Sequence, residues 1–137
     1  MSVALFTWGV GSDGQMGHSK FHSESTVLGG EVYIQEEPRR LIRSKSFVSV
    51  AIGGTYTLAV NDSGNLFGFG DIFGKDKNKT PEIICPDTTF THVAAGTKHA
   101  AAVDTNGNVH TWGCGGGWYA GGGQLGHNSY DAVAAPK

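Results

Sequence analysis
The sequence predicts an all-β protein built from repeats, and three observations carry that reading. The first is a self-echo. Phe47 to Gly70, FVSVAIGGTYTLAVNDSGNLFGFG, returns 43 positions later as Phe90 to Gly113, FTHVAAGTKHAAAVDTNGNVHTWG, with 9 identities in 24 aligned positions. A fixed spacing of about 20 to 50 residues is the mark of a solenoid, propeller or array. The second is glycine, 22 of 137 residues, roughly twice ordinary usage, set among aromatics and short apolar runs, as many short strands and tight turns require. The third is that no stretch sustains helical periodicity.

Taken in order, Val3 to Trp8 reads as a short strand ended by Gly9, and Ser12-Asp13-Gly14 as a turn. Gly14-Gln15-Met16-Gly17-His18 follows, echoed by Gly123-Gln124-Leu125-Gly126-His127. Three strands ending in aromatic-Gly can be placed: Leu5 to Gly9, Leu66 to Gly70 and Val109 to Gly113. The polar stretch 19–37 reads as a surface insertion or an extra edge strand. Pro38 is expected to open a short outer strand at Leu41-Ile42, where its missing N–H needs no ladder partner. Thr80 to Ile84 is its counterpart.

The repeated core resolves into two hairpins, Thr57–Val60 with Leu66–Phe69 and Ala100–Val103 with Val109–Trp112. Each has a five-residue loop with Gly fourth, Gly64 or Gly107, where a type I turn followed by a left-handed residue demands it. The chain divides into a first repeat over 1–46, a second over 47–89 and a third over 90–137. The third carries a loop insertion at 115–123.

Composition excludes several function classes. A net charge of −2 and a pI near 6.3 argue against a nucleic-acid binder held by phosphate contacts. Cys85 and Cys114 are 29 residues apart, which indicates neither a zinc site nor a disulfide framework, and reduced thiols are expected. No apolar run reaches the roughly 18 residues of a membrane span, and the N-terminus lacks the basic region of a signal peptide. The expectation is an intracellular protein of the cytoplasm or nucleus, without a membrane partner.

Motifs that suggest chemistry fail on context. Gly9-Val10-Gly11-Ser12-Asp13-Gly14 matches G-x-G-x-x-G, but no helix follows to face a pyrophosphate, so no cofactor is expected. Gly70 to Lys75 lacks the spacing of a phosphate loop. His18 and His127 are equivalent repeat positions and the other histidines share no ligand spacing, so no metal is expected. No triad or paired carboxylates can be argued, and no catalytic residue is assigned. Trp118 and Tyr119 stand on a glycine-flanked loop. They are interface candidates by residue type, unless that loop folds back over its own repeat.

The succession [LV]-x-x-W-G, G-Q-[ML]-G-H, a Pro-led strand, V-A-x-G-x-x-H and A-V-x-x-x-G-N resembles the repeat of the regulator of chromosome condensation family. The second copy lacks the G-Q-[ML]-G-H element. The resemblance implies a β-propeller of four-stranded antiparallel blades, seven in the full family fold, of which this chain holds about two and a half. An open array leaves apolar sheet uncovered at both ends, so missing blades or another chain are expected there. The family includes an exchange factor for the small GTPase Ran, in which acidic and histidine side chains of certain G-x-x-H loops are important. Matching those loops places partner-binding residues at Gly54, Thr55, Tyr56, Thr97, Lys98 and His99. Only His99 keeps the histidine, and neither loop has the acid. The function expected is therefore a protein-interaction scaffold, with exchange on a Ran-like GTPase as the alternative.

Overall fold
The computed structural model describes residues 3–18, 22–25, 31–43, 45–72, 78–116, 123–129 and 131–137. They carry the strands β1 (Leu5–Val10), β2 (His22–Ser25), β3 (Glu31–Leu41), β4 (Phe47–Ile52), β5 (Tyr56–Asn61), β6 (Leu66–Gly70), β7 (Asn78–Ile83), β8 (Phe90–Ala95), β9 (His99–Asp104) and β10 (Val109–Gly113). They pair antiparallel in three sheets, in the orders β1-β3-β2, β4-β5-β6-β7 and β10-β9-β8. These are blades of an incomplete β-propeller.

The hairpin loops form as their chemistry dictates. Gly64 and Gly107 have φ of 81° and 86°, and each donates its N–H to the carbonyl of the loop's first residue, Asn61 at 3.0 Å and Asp104 at 3.1 Å. That first residue closes the loop with its side chain, since Oδ1 of Asn61 and Asp104 accepts from the N–H of Asn65 at 2.8 Å and Asn108 at 2.9 Å. A short polar side chain folded onto its own backbone is what fixes such turns.

Among the described residues the second sheet packs against both of the others, and its middle strands show it. β5 and β6 are buried at every position, whereas β9 alternates buried and half-buried. One apolar cluster, with Phe47, Ala59 and Phe67, reaches Leu5 and Ile42 of the first repeat. The larger one joins Tyr56, Leu58, Val60 and Leu66 to Phe90, Ala100, Ala102 and Trp112 of the third. Small residues at 100 and 102 let neighbouring sheets approach.

The joints between sheets repeat as faithfully as the sheets. Phe47 N–H donates to the Val3 carbonyl at 3.0 Å, and its counterpart Phe90 donates to Gly64 at 2.8 Å. Each of these phenylalanines packs edge-to-face on the same repeat position, Phe67 at 5.9 Å and His110 at 5.5 Å. Ile42 and Cys85, also 43 apart in the sequence, both adopt the left-handed region, φ 39° and 57°. The turn costs about 1–2 kcal/mol for a non-glycine, but it aims both side chains into the inter-blade clusters.

One expectation changes and one is narrowed. Pro38 does not open a strand, because β3 starts at Glu31 and passes through it. The register with β1 shifts between Thr7↔Arg39 and Gly9↔Gln35, so Pro38 sits in a bulge, where no ladder bond is required of it. Pro81 occupies the matching irregularity in β7. The 19–37 stretch supplies an edge strand, β2, paired to β3.

Candidate partner-binding surface
The two G-x-x-[YH] loops lie side by side where the second and third sheets meet. Each is tied down within its own blade. The Thr55 carbonyl accepts from Asp71 N–H at 2.9 Å, and the Lys98 carbonyl accepts from Cys114 N–H at 2.7 Å. Gly54 N–H then reaches across the joint to the Thr97 carbonyl at 3.3 Å. Gly54, Thr97 and Lys98 are exposed and Thr55 is half-buried, so these four form the outward surface of the rim.

The ring that ends each loop turns inward. At Gly53 a Cβ would overlap the Tyr56 ring, and at Gly96 it would overlap the His99 imidazole. The glycine is therefore needed because the aromatic three residues on folds over it. Tyr56 is 0 % exposed, and its hydroxyl points at two carbonyls of the next blade, Gly96 at 2.9 Å and His99 at 2.6 Å. Burial pushes the phenol up to about 12, because a phenolate has no water to stabilise it there.

Tyr56 is thus a correction to the expected partner-binding set: it cannot meet a partner from inside the joint. His99 occupies the same repeat position in the third blade. It borders a hollow of about 180 Å³ with Ala95, Ala100 and Ala101 on that sheet's uncovered face. Trp118 and Tyr119 lie outside the described residues.

His18, His110, His127 and Asp104 are engaged within the fold. Thr7 Oγ1 donates to the Met16 carbonyl at 2.7 Å and so accepts from His18 Nε2 at 2.9 Å. Thr111 does the same with the Leu125 carbonyl and His127, at 2.6 and 2.9 Å. G-Q-[ML]-G-H is a loop whose terminal histidine is pinned to the strand it follows. Burial, and then the nearby Arg39 charge, hold His18 below the ordinary histidine value. Asp104 accepts from Asn108 Nδ2 and His110 Nε2, at 2.9 and 3.1 Å, and from the N–H groups of Asn106 and Asn108. Those bonds, Asn108's first, hold its carboxyl well below the usual range. Among the described residues no three of His, Cys, Asp or Glu gather as metal ligands would, and no helix is long and apolar enough to cross a membrane.

Sequence reasoning expected apolar sheet to stand uncovered but did not name its side chains; on the first two sheets they are Phe6, Trp8 and Val10 of β1 and Val50 and Ile52 of β4, all exposed.

The regulator of chromosome condensation (RCC1) repeat matches residues 4–60 and again residues 90–116, between them more than half of the chain. The chain belongs to the regulator of chromosome condensation repeat family. Among curated relatives, Protein RCC2 of Mus musculus is 29% identical over 136 residues, covering 91% of this chain and 23% of that protein. The probable E3 ubiquitin-protein ligase HERC3 of Homo sapiens is 30% identical over 144 residues, 97% of this chain and 12% of that one. The RCC1-repeat chain here thus spans about a quarter or less of these relatives. Among solved structures, Prp20p from Saccharomyces cerevisiae, reported with its binding properties to Gsp1p and histones, superposes with a TM-score of 0.74 at 25% identity. It is covered over 98% of this chain and 33% of that one. Yeast RCC1 (Prp20) bound to Kap60 gives 0.70 at 23%, with 98% and 32% covered, a likeness of fold.

Proposed function
We propose that these RCC1 repeats form part of a propeller that holds other proteins on its rim, a binding scaffold with no chemistry of its own. The observation that carries this reading is the fate of the G-x-x-[YH] loops. The ring of Tyr56 is committed between blades, and His99 holds the equivalent repeat position in the third sheet, folded over Gly96. Among the described residues the two loops turn Gly54, Thr55, Thr97 and Lys98 outward, with no carboxylate in either loop. Such a surface supplies hydrogen bonds and one cation, and nothing that could displace a nucleotide by charge. The range of relatives supports the same reading. RCC2, HERC3 and the serine/threonine-protein kinase Nek9 of Mus musculus share the matched portion, which is 12–23% of each. A module common to proteins named for different chemistries is better suited to binding than to catalysis.

The second reading is nucleotide exchange on a Ran-like small GTPase, in the cytoplasm or nucleus. It is favoured by the likeness to Prp20p, reported with Gsp1p binding. Release of labelled GDP from Ran-like GTPases by the complete protein separates the two. The scaffold reading expects an unchanged release rate and a stable protein partner recovered by pull-down. Acceleration of release replaces it with the exchange reading.

A further inference from the structure
The strands β1, β6 and β10 hold the same place in the repeat, and each is paired by a stretch from further along the chain: β3, β7 and residues 133–137. That stretch bulges at one fixed point. Gly9↔Gln35 is followed by Thr7↔Arg39, and Gly70↔Asn78 by Gly68↔Glu82. In the third repeat Gly113 bridges Val133, and Thr111 N–H donates to the Lys137 carbonyl at 3.2 Å. Two residues of the one strand are therefore met by four of the other each time. A proline stands three residues beyond the glycine's partner in every case, Pro38, Pro81 and Pro136.

A bulge suits proline, since a residue outside the ladder has no use for an N–H. Proline in turn disfavours helical backbone at the residue before it and holds that residue extended. The residues so presented are Glu37, Thr80 and Ala135, and all three are exposed. Of these, Thr80 alone carries a hydroxyl. The fourth proline, Pro86, follows Cys85, so Thr80-Pro81 is the one Ser/Thr-Pro pair in the 137 residues. Pro81 itself is half-buried. β7 ends its sheet, with β6 its one partner among the described residues, and the pair stands on that sheet's edge.

We propose that Thr80 is a phosphorylation site, the acceptor for a serine/threonine kinase that reads a proline after the hydroxyl. In the transfer the Thr80 oxygen bonds to the γ-phosphorus of ATP and the bond from that phosphorus to the β,γ-bridging oxygen breaks. ADP leaves, and the hydroxyl proton passes to the catalytic aspartate of the kinase. The acceptor must lie in line beside the γ-phosphate, which favours a segment already extended and off the ladder.

The first repeat shows what an anion at this place does to the fold. The position equivalent to Thr80 is there Glu37, preceded by Glu36, and both are exposed. The bulge thus holds negative charge in one blade as built. Phosphothreonine brings about 1.5 to 2 negative charges to the same place in the next. Phosphorylation therefore changes the outer edge of the second blade and leaves its packing alone. The inference concerns that edge and stands whether the rim is a scaffold or an exchange site.

The test incubates the 137-residue chain with a proline-directed serine/threonine kinase and Mg-ATP, and maps incorporated phosphate by fragment mass spectrometry. One phosphate is expected, on Thr80. Thr80→Ala is expected to abolish incorporation and Thr80→Ser to retain it. A synthetic peptide of residues 76–85 supplies the unconstrained reference. The folded chain is expected to be modified with a kcat/KM within about tenfold of the peptide's, because the bulge presents the segment without unfolding. Thr80→Glu is expected to keep the urea midpoint of the parent. No phosphate on Thr80, comparable phosphate on another hydroxyl, or a folded chain modified more than about tenfold slower than the peptide overturns the proposal. A midpoint lowered both by Thr80→Glu and by phosphorylation overturns the claim that the bulge accepts the charge.

Discussion

Replacing Tyr56 by Phe removes one oxygen from the middle of the joint and leaves the ring over Gly53 in place. Two carbonyls depend on that hydroxyl, those of Gly96 at 2.9 Å and His99 at 2.6 Å. They are not equally dependent, because the His99 carbonyl also accepts from Gly96 N–H at 2.8 Å. The single phenolic proton serves the pair, so the loss is one net hydrogen bond plus the cost of a poorly satisfied Gly96 oxygen. That amounts to about 1–2 kcal/mol. With a urea slope of about 1–3 kcal/mol per molar, the unfolding midpoint is expected to fall by roughly 0.5–1 M at unchanged slope. The pH dependence adds a second signature. The folded phenol is raised to about 12 from an ordinary value of about 10. The stability tied to keeping it protonated is thus fully present below pH 10 and is lost as pH rises from there through 12. Tyr56→Phe is expected to remove that alkaline component while retaining the rest of the profile. An unchanged midpoint at neutral pH together with an unchanged alkaline profile would refute the assignment of Tyr56 to the joint.

Other outcomes test the remaining parts of the account. Gly53→Ala places a Cβ into the enclosed Tyr56 ring, whereas Gly96→Ala meets a His99 ring on an uncovered face that can swing away. The first is expected to cost about 1–3 kcal/mol in urea unfolding and the second clearly less. His18 is held below 6.5 by burial and Arg39. Stability is therefore expected to be greatest above pH 6.5 and to decline as pH falls below it, a decline that His18→Gln reduces when midpoints are compared at pH 7.5 and 5.5. Asp104→Asn keeps the turn geometry that Asn61 already demonstrates but weakens the bond to His110. It is expected to lower the midpoint modestly at neutral pH and to flatten the loss of stability on acidification, since a carboxyl held low stabilises the fold only while it is ionised.

What could be read in the sequence was whatever is local. Gly64 and Gly107 declared the hairpin loops because the need for a left-handed residue is settled within five positions. The 43-residue echo aligned Phe47 with Phe90, and the structure places each of them in one of the two apolar clusters. The misreadings all concern what a neighbour decides. Tyr56 was expected at a docking surface because its loop is one in the family, and only the third blade's carbonyls show that the ring is inside. Trp8 ends its strand in the same aromatic-Gly pattern as Phe69 and Trp112, which are buried, yet Trp8 is 59 % exposed, because a repeat position does not say what lies against it. Pro38 was placed at a strand start because a proline inside a strand needs a bulge, and a bulge has no signature in this sequence.

The division of labour within the G-x-x-[YH] loops is the central claim, and one crossed comparison tests it most directly. In the complete protein, Thr97→Ala and Lys98→Glu alter the exposed rim, and Tyr56→Phe alters the joint beneath it. For each variant both the urea midpoint and the Kd for the recovered protein partner are measured. The account predicts that the rim variants weaken the partner and leave the midpoint unchanged, while Tyr56→Phe lowers the midpoint and leaves the Kd unchanged. Rim variants that bind as tightly as the parent, with Tyr56→Phe losing the partner at an unchanged midpoint, would contradict it.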